Sequence, residues 1–228
     1  MRLYKFRQLG QQLDFVLDII VNERFHCAEY ERLNDPLEGY YIAEIPVSRN
    51  DLGGVYPVTM VSLARSASDD GSGFGNDSSP IPVPNVCSLS ARMQSIAMWS
   101  LYASNHAGVA VEIESESLPP NTVLRPVTYH VGLPRSRQSF ATAATVTDTL
   151  TRKTTEWEFE AEHRILHSEN FISVAGAITA VFVGARASQL HVDILKRCTP
   201  PHVPLFQAKI DWHNAQVIRG SPLPRKAS

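Results

Sequence analysis

Glu160 and Glu162 stand one residue apart in the run WEFEAEHR, residues 157–164. Taken as a strand, this run puts Glu158, Glu160, Glu162 and Arg164 on one face and Phe159, Ala161, His163 and Ile165 on the other. Like charges about 7 Å apart on one sheet face repel, so the face is either fully wet or built for chemistry. Carboxylates at a cleft stabilise a cationic transition state and orient or deprotonate a nucleophile. Glu158 lies outside the Glu-x-Glu pair and is expected in solvent, and Arg164 is the local partner that would let the other two share a face.

Other segments carry polar groups that would complete such a site. Lys5 and Arg7 lie on a first short strand, and Ser88-Leu89-Ser90 lies on a middle one. Tyr4, Trp99 and Tyr102 are aromatic residues suited to stacking on a ring. The order Arg, Ser-x-Ser, Glu-x-Glu is similar to that of one class of ADP-ribosyltransferases. That resemblance implies a split-sheet fold and cleavage of the nicotinamide–ribose bond of NAD as substrate. Glu160 or Glu162 would be the catalytic carboxylate; Lys5 and Arg7 would hold NAD, and Ser88 and Ser90 would shape the site. An ADP-ribose acceptor, protein, nucleic acid or small molecule, and a role as toxin or in phage defence belong to the same analogy.

Two other readings of the same residues stay open. Asp35, Glu38, Glu160 and Glu162 would form a hard oxygen cage for Mg²⁺ in a nuclease or phosphodiesterase, with Lys153 or Arg164 on a phosphate. Against this, the net charge is −2 and no D-x-D or H-x-H spacing is present. In a non-catalytic protein, the glutamates would pair with Arg164, Lys153 and Arg152 on a wet face. There Asn34-Asp35-Pro36 is a turn, Trp99 and Tyr102 are core, His106 satisfies helix carbonyls, and His163 is a satisfied core residue. A G-x-S-x-G elbow and a P-loop are absent, and GSGFG falls inside a loop instead of between a strand and a helix.

The positioning elements follow from patterning. Residues 11–21 carry Leu13, Val16, Leu17 and Ile20 at helical spacing, and QSIAMWSLYASN is a second amphipathic helix. NVCSLS, GVAVEIE, AITAVFVGA, PLFQAKID and AQVIRG read as strands, ATAATVTDTLTRK and SQLHVDILKRC as helices. Pro126 marks VLRPVTYHV as an edge or bulged strand. Residues 66–84, dense in Gly, Ser, Asp and Pro, are expected to be a long loop or insertion serving as a lid. The expectation is one α+β domain over residues 1–220, strand-rich with short helices, and a mobile tail at 221–228.

Several of these segments together resemble the bacterial family numbered 2971 among domains of unknown function. LNDPLEG matches its FNDPxE turn, with Leu33 in place of Phe. MWSLYASNHAGVAVEIE matches W-x-x-Y-x-x-x-H-x-G, and WEFEAEHRIL matches W-x-x-E-x-E-x-R. The resemblance covers residues 3–213 and marks Asn34, Asp35, Glu38, His106 and Arg164 as substrate-side residues. Cys27, Cys87 and Cys198 are far apart, odd in number and form no C-x-x-C pair, so neither a disulfide framework nor a structural zinc site is expected. The thiols are expected buried and reduced in a cytoplasmic protein, and beside NAD as substrate no metal is expected. MRLYKFRQLG lacks a following cleavage site, so no signal peptide is expected. The longest apolar run, from Val174, is too short to cross a bilayer, so no membrane partner is expected.

Overall fold

A computed structural model describes residues 1–44, 58–63, 82–136 and 143–224. The chain opens with β1 (Arg2–Arg7), α1 (Leu13–Asn22) and β2 (Arg24–His26), then β3 (Tyr40–Glu44), β4 (Val58–Ser62) and β5 (Asn85–Ser90). Next come α2 (Ile96–Tyr102), β6 (Val109–Glu114), β7 (Val123–Pro126), β8 (Thr128–His130), β9 (Arg135–Ser136) and α3 (Ala143–Thr149). β10 (Arg152–Thr154), β11 (Glu162–His167), β12 (Phe171–Ser173), β13 (Ile178–Val183), α4 (Gln189–Cys198), β14 (Leu205–Asp211) and β15 (Gln216–Pro222) complete it. The class is α+β and strand-rich. Of the expected lid at 66–84, only 82–84 fall among the described residues. Ser221 and Pro222, read as tail from composition, extend β15.

Eight strands form the main sheet in the order β15-β14-β13-β6-β1-β5-β11-β7. Both faces are covered, which is why five of the six residues of β6 are buried. On one face Leu3, Val111, Ile113 and Ile165 meet Val16, Ile19 and Ile20 of α1 and Val192 and Leu195 of α4. On the other, Phe6, Ala110, Phe182 and Phe206 meet Met98 and Trp99 of α2. β7 is the edge strand and ends at Pro126, as a residue without an amide donor requires.

The sheet is not evenly laced. β1 pairs with β6 at six positions, from Arg2↔Glu114 to Arg7↔Val109. β11 pairs with β5 at six, from Glu162↔Ser90 to His167↔Asn85. Between these halves, β1 meets β5 at one pair, Tyr4↔Ser90. Beyond that pair the strands part.

The run 157–164 is not one strand. Thr155–Glu160 forms a 3-10 helix, Ala161 turns left-handed at φ 42°, and the strand begins at Glu162. Alternation alone could not reveal the break, because a short 3-10 helix carries no apolar stripe. The turn is held by the Ser90 hydroxyl, which donates to the Glu160 carbonyl at 2.6 Å, and by the Ala91 amide on the Ala161 carbonyl at 3.0 Å. It sends Glu158 into solvent and turns Glu160 off the sheet face. The like-charge row is thereby dismantled.

After α2 the chain reverses through Ser104, Asn105 and His106, all at positive φ. The reversal is clamped by backbone contacts: the Gly184 amide donates to the Gly108 carbonyl at 2.8 Å and the Arg186 amide to the His106 carbonyl at 2.8 Å. A Cβ on Gly184 would lie 2.2 Å from the His106 carbonyl oxygen, and one on Gly108 would lie 2.2 Å from that of Arg7. Backbone atoms cannot swing aside as a side chain does. Gly184→Ala should therefore destabilise the fold by about 2 kcal/mol or more, read as a lower urea midpoint at unchanged slope.

Candidate functional site

A cavity of about 330 Å³ opens where β1 and β5 part. That size lies at the lower end of the range for small-ligand sites, about 300–1,000 Å³. Its acidic side is lined by Glu160 and Glu162 with Lys153, beside Tyr4, Tyr102 and Ser90. Its basic side holds Arg7, Arg32 and His26, with Lys5 between the strands. Arg7 Nε is buried with no hydrogen-bond partner, and among the described residues no carboxylate pairs with this guanidinium. Lys5 Nζ reaches across the gap to the Ser88 carbonyl at 2.8 Å. Burial, reinforced by Arg7, pulls the Lys5 ammonium below its usual range.

Behind the acidic wall runs a buried network centred on Arg164, which is 0% exposed. Its guanidinium forks onto Glu38 (2.5 and 2.9 Å) and onto Glu162 (2.8 and 3.1 Å), and it also donates to the Leu150 carbonyl at 2.7 Å. Burial alone would push the Glu162 carboxyl up, but the charges of Arg164 and Lys153 outweigh it and hold the group down at about 2. In Glu38 burial prevails over its single cation, and its carboxyl is raised. Lys153 Nζ bridges Glu160 at 2.7 Å and Glu162 at 3.0 Å, with its charge 4.9 Å from the Trp157 ring centre. Glu160 accepts a second bond from the Tyr102 hydroxyl, which in turn accepts from the Asn34 amide. Three carboxylates thus share two cations. Glu162 is touched by both, Glu160 only by Lys153.

Of the residues singled out from sequence, the cavity gathers Tyr4, Lys5, Arg7 and Asn34 with Ser88, Ser90, Tyr102, Glu160 and Glu162. The others lie elsewhere. Trp99 is fully buried in the core, its ring edge-on to Phe6 at 5.3 Å and its indole N–H donating to the Met93 carbonyl at 2.7 Å, so it has no face for a ligand. His106 stacks on Trp99, and burial lowers its pKa, which keeps the ring neutral and structural. Asp35 Oδ1 accepts the Leu37 amide at 2.9 Å, a turn-forming contact. Glu38 and Arg164 stand behind the wall and act through Glu162. His26 and Arg32 reach the cavity without having been marked as site residues. Lys153, expected on a phosphate or against the glutamates on a wet face, is buried, and the pairing of β10 with β8 places it inside.

The carboxylate cage expected for Mg²⁺ does not assemble. Glu38, Glu160 and Glu162 spend their oxygens on Arg164 and Lys153, Asp35 serves its turn, and the described residues contain no cluster of three or more metal-ligating side chains. No protein-family model, curated protein or solved structure matches this chain. Among the described residues no helix is long and apolar enough to cross a membrane.

Removing the central cation has a signed pH consequence. In the native protein the Glu162 carboxyl, at about 2 against its ordinary 4.5, contributes stability that is complete above pH 4.5 and is lost as pH falls through 2. Arg164→Met leaves Glu38 without its ion pair and Glu162 with Lys153 alone, and should cost about 3–5 kcal/mol at neutral pH. Glu38 then has no cation and its carboxyl rises further, so the variant should gain stability from pH 7 to pH 5. Urea unfolding at both pH values checks the sign.

Proposed function

We propose that this protein is an ADP-ribosyltransferase-like enzyme that cleaves NAD at the cavity between β1 and β5. One observation carries the reading: Arg7, Ser88 with Ser90, and Glu160 with Glu162, from widely separated segments, line one cavity. The lining holds four cations, Lys5, Arg7, Arg32 and Lys153, against two carboxylates, in a chain of net charge −2. That local surplus suits a diphosphate. Arg7, with its unpartnered Nε, and Arg32 would take the diphosphate; Tyr4 and Tyr102 would flank the nicotinamide.

In this scheme the bond between nicotinamide N1 and ribose C1′ breaks, its electron pair stays with the ring, and nicotinamide leaves neutral. Positive charge develops on the ribose, where a preorganised carboxylate lowers the barrier. Glu160 is the better placed of the pair, being touched by one cation where Glu162 is touched by two. Glu162 is the positioning carboxylate that fixes Lys153. An acceptor nucleophile, or water, then attacks C1′ and gives up its proton. The motifs that resemble those of family 2971 divide along the same line. Asn34, Tyr102, Glu160 and Glu162 line the cavity, whereas Trp99, His106, Gly108 and Arg164 support it.

With labelled NAD, the native protein should release nicotinamide. Glu160→Gln should slow release about 100-fold or more, measured at a temperature where its own unfolding curve shows the variant folded. Arg7→Ala should chiefly raise KM. Intact NAD after long incubation with native protein, alone and with cell lysate, would overturn the reading.

A further inference from the structure

Beneath the wall of the cavity lie two cysteines the scheme above does not use. Ala28 and Val86 exchange both backbone hydrogen bonds, at 2.9 and 2.7 Å, in an isolated antiparallel bridge. The next pair along, Cys27 and Cys87, is therefore directly opposed at a non-hydrogen-bonded position, where side chains come closest. In agreement, the Cys27 amide donates away from Cys87, to the Asn170 carbonyl at 2.8 Å. The Cα separation of such a pair, about 4.5 Å, falls within the span a disulfide bridges. Both are free thiols, and each sulfur lies close enough to shift the titration of the other.

Lys5 completes the group. Its ammonium lies 3.5 Å from Cys87 Sγ and 2.8 Å from the Ser88 carbonyl, and among the described residues no carboxylate accepts from it. The hydrogen bond from Cys27, then the charges of Lys5 and Arg7, draw the Cys87 thiol down to about 6 against the opposing effect of burial. Burial and its bond to Cys87 push Cys27 the other way. The pair is thus divided into one sulfur that attacks and one that resolves. His26, Ala28, Val86 and Ser88, the chain neighbours of the two cysteines, line the cavity, so on extended backbone Cys27 and Cys87 turn to the opposite face, where they are 1% and 0% exposed in the core. Lys5 lines the cavity and also reaches Cys87 Sγ, and so joins the two.

We propose that Cys27 and Cys87 form a redox-active dithiol that a peroxide closes into a disulfide. The Cys87 thiolate attacks one peroxide oxygen; the O–O bond breaks and the other oxygen leaves as water, with Lys5 placed to supply the proton. Cys87 is then a sulfenic acid. Cys27 sulfur attacks it, the S–S bond forms, and hydroxide departs with the Cys27 proton as a second water. The two sulfurs lose two electrons and hydrogen peroxide gains them. Closure replaces the thiolate facing Lys5 with a neutral disulfide, and Lys5, having given up its proton, stays a neutral amine until it takes one from solvent.

Hydrogen peroxide added to the folded protein, followed by alkylation, digestion and mass spectrometry, tests this without reference to NAD. The expected result is a peptide pair joined through Cys27 and Cys87, two hydrogen masses lighter than the reduced pair, with Cys198 still alkylated. Cys27→Ser should halt at a Cys87 sulfenic acid that a 1,3-dione probe captures. Lys5→Met, checked as folded by its unfolding midpoint, should slow closure about tenfold. Oxidation of Cys198 with Cys27 and Cys87 left as thiols would overturn the proposal, as would Cys87 passing to sulfinic acid unlinked.

Discussion

A fully buried guanidinium is the constraint around which this site is organised. Moving Arg164 out of water costs several kcal/mol unless its donors are met. They are met by Glu38 from the Asn34-to-Gly39 turn, by Glu162 on its own strand, and by the Leu150 carbonyl just beyond α3. Segments far apart in sequence are therefore fixed to one point, since displacing any of them leaves a charge or a donor unpaired in a dry interior. Lys153 extends the same logic into β10 and the 3-10 helix. The network holds one cation fewer than it has carboxylates, and that imbalance lies on the cavity side.

The second constraint is the failure of β1 and β5 to continue their ladder. A sheet with apolar cover on both faces gains from full lacing, and these two strands stop after Tyr4↔Ser90. What occupies the gap explains the tolerance: the Lys5 ammonium takes up the Ser88 carbonyl that a ladder amide would otherwise satisfy. The opening thus satisfies buried backbone polarity at the expense of a buried ammonium, which also lies 3.5 Å from Cys87 Sγ. The parting of β1 and β5 forms the cavity, and the Ala28–Val86 bridge beside it opposes the two cysteines.

Much of this was legible in the residues, for identifiable reasons. Strands flanking GVAVEIE and AITAVFVGA carry long apolar runs, α1 has a clear helical stripe, and Pro126 forces an edge. The Glu-x-Glu and Ser-x-Ser pairs are local patterns, so both were found, and register brings them together at Glu162↔Ser90. The opposed cysteines were not legible, because their meaning comes from pairing across distant segments, and the burial of Lys153 comes from pairing too, although its pairing with the glutamates was expected. For Trp99 and His106 two readings stood open, site and support. A fully buried ring stacked on an imidazole agrees with the second.

The strand that was expected through WEFEAEHR carries the sharper lesson. Had the extended conformation persisted, Glu160 and Glu162 would stand on one face with equivalent surroundings, and neither would differ in charge state or reach. The left-handed Ala161 ends that equivalence. Glu162 stays on the ladder, pinned through its amide to the Tyr129 hydroxyl at 2.8 Å and through its carboxylate to Arg164 and Lys153. Glu160 leaves the ladder, keeps one cation and gains the Tyr102 hydroxyl. One residue with positive φ thus turns a repeated pair into two carboxylates with different surroundings, one held by two cations and one by a single cation and a tyrosine hydroxyl. A non-glycine residue held left-handed costs of order 1–3 kcal/mol. Here the Ser90 hydroxyl and the Ala91 amide hold it in place, and both come from the end of β5 that frames the cavity.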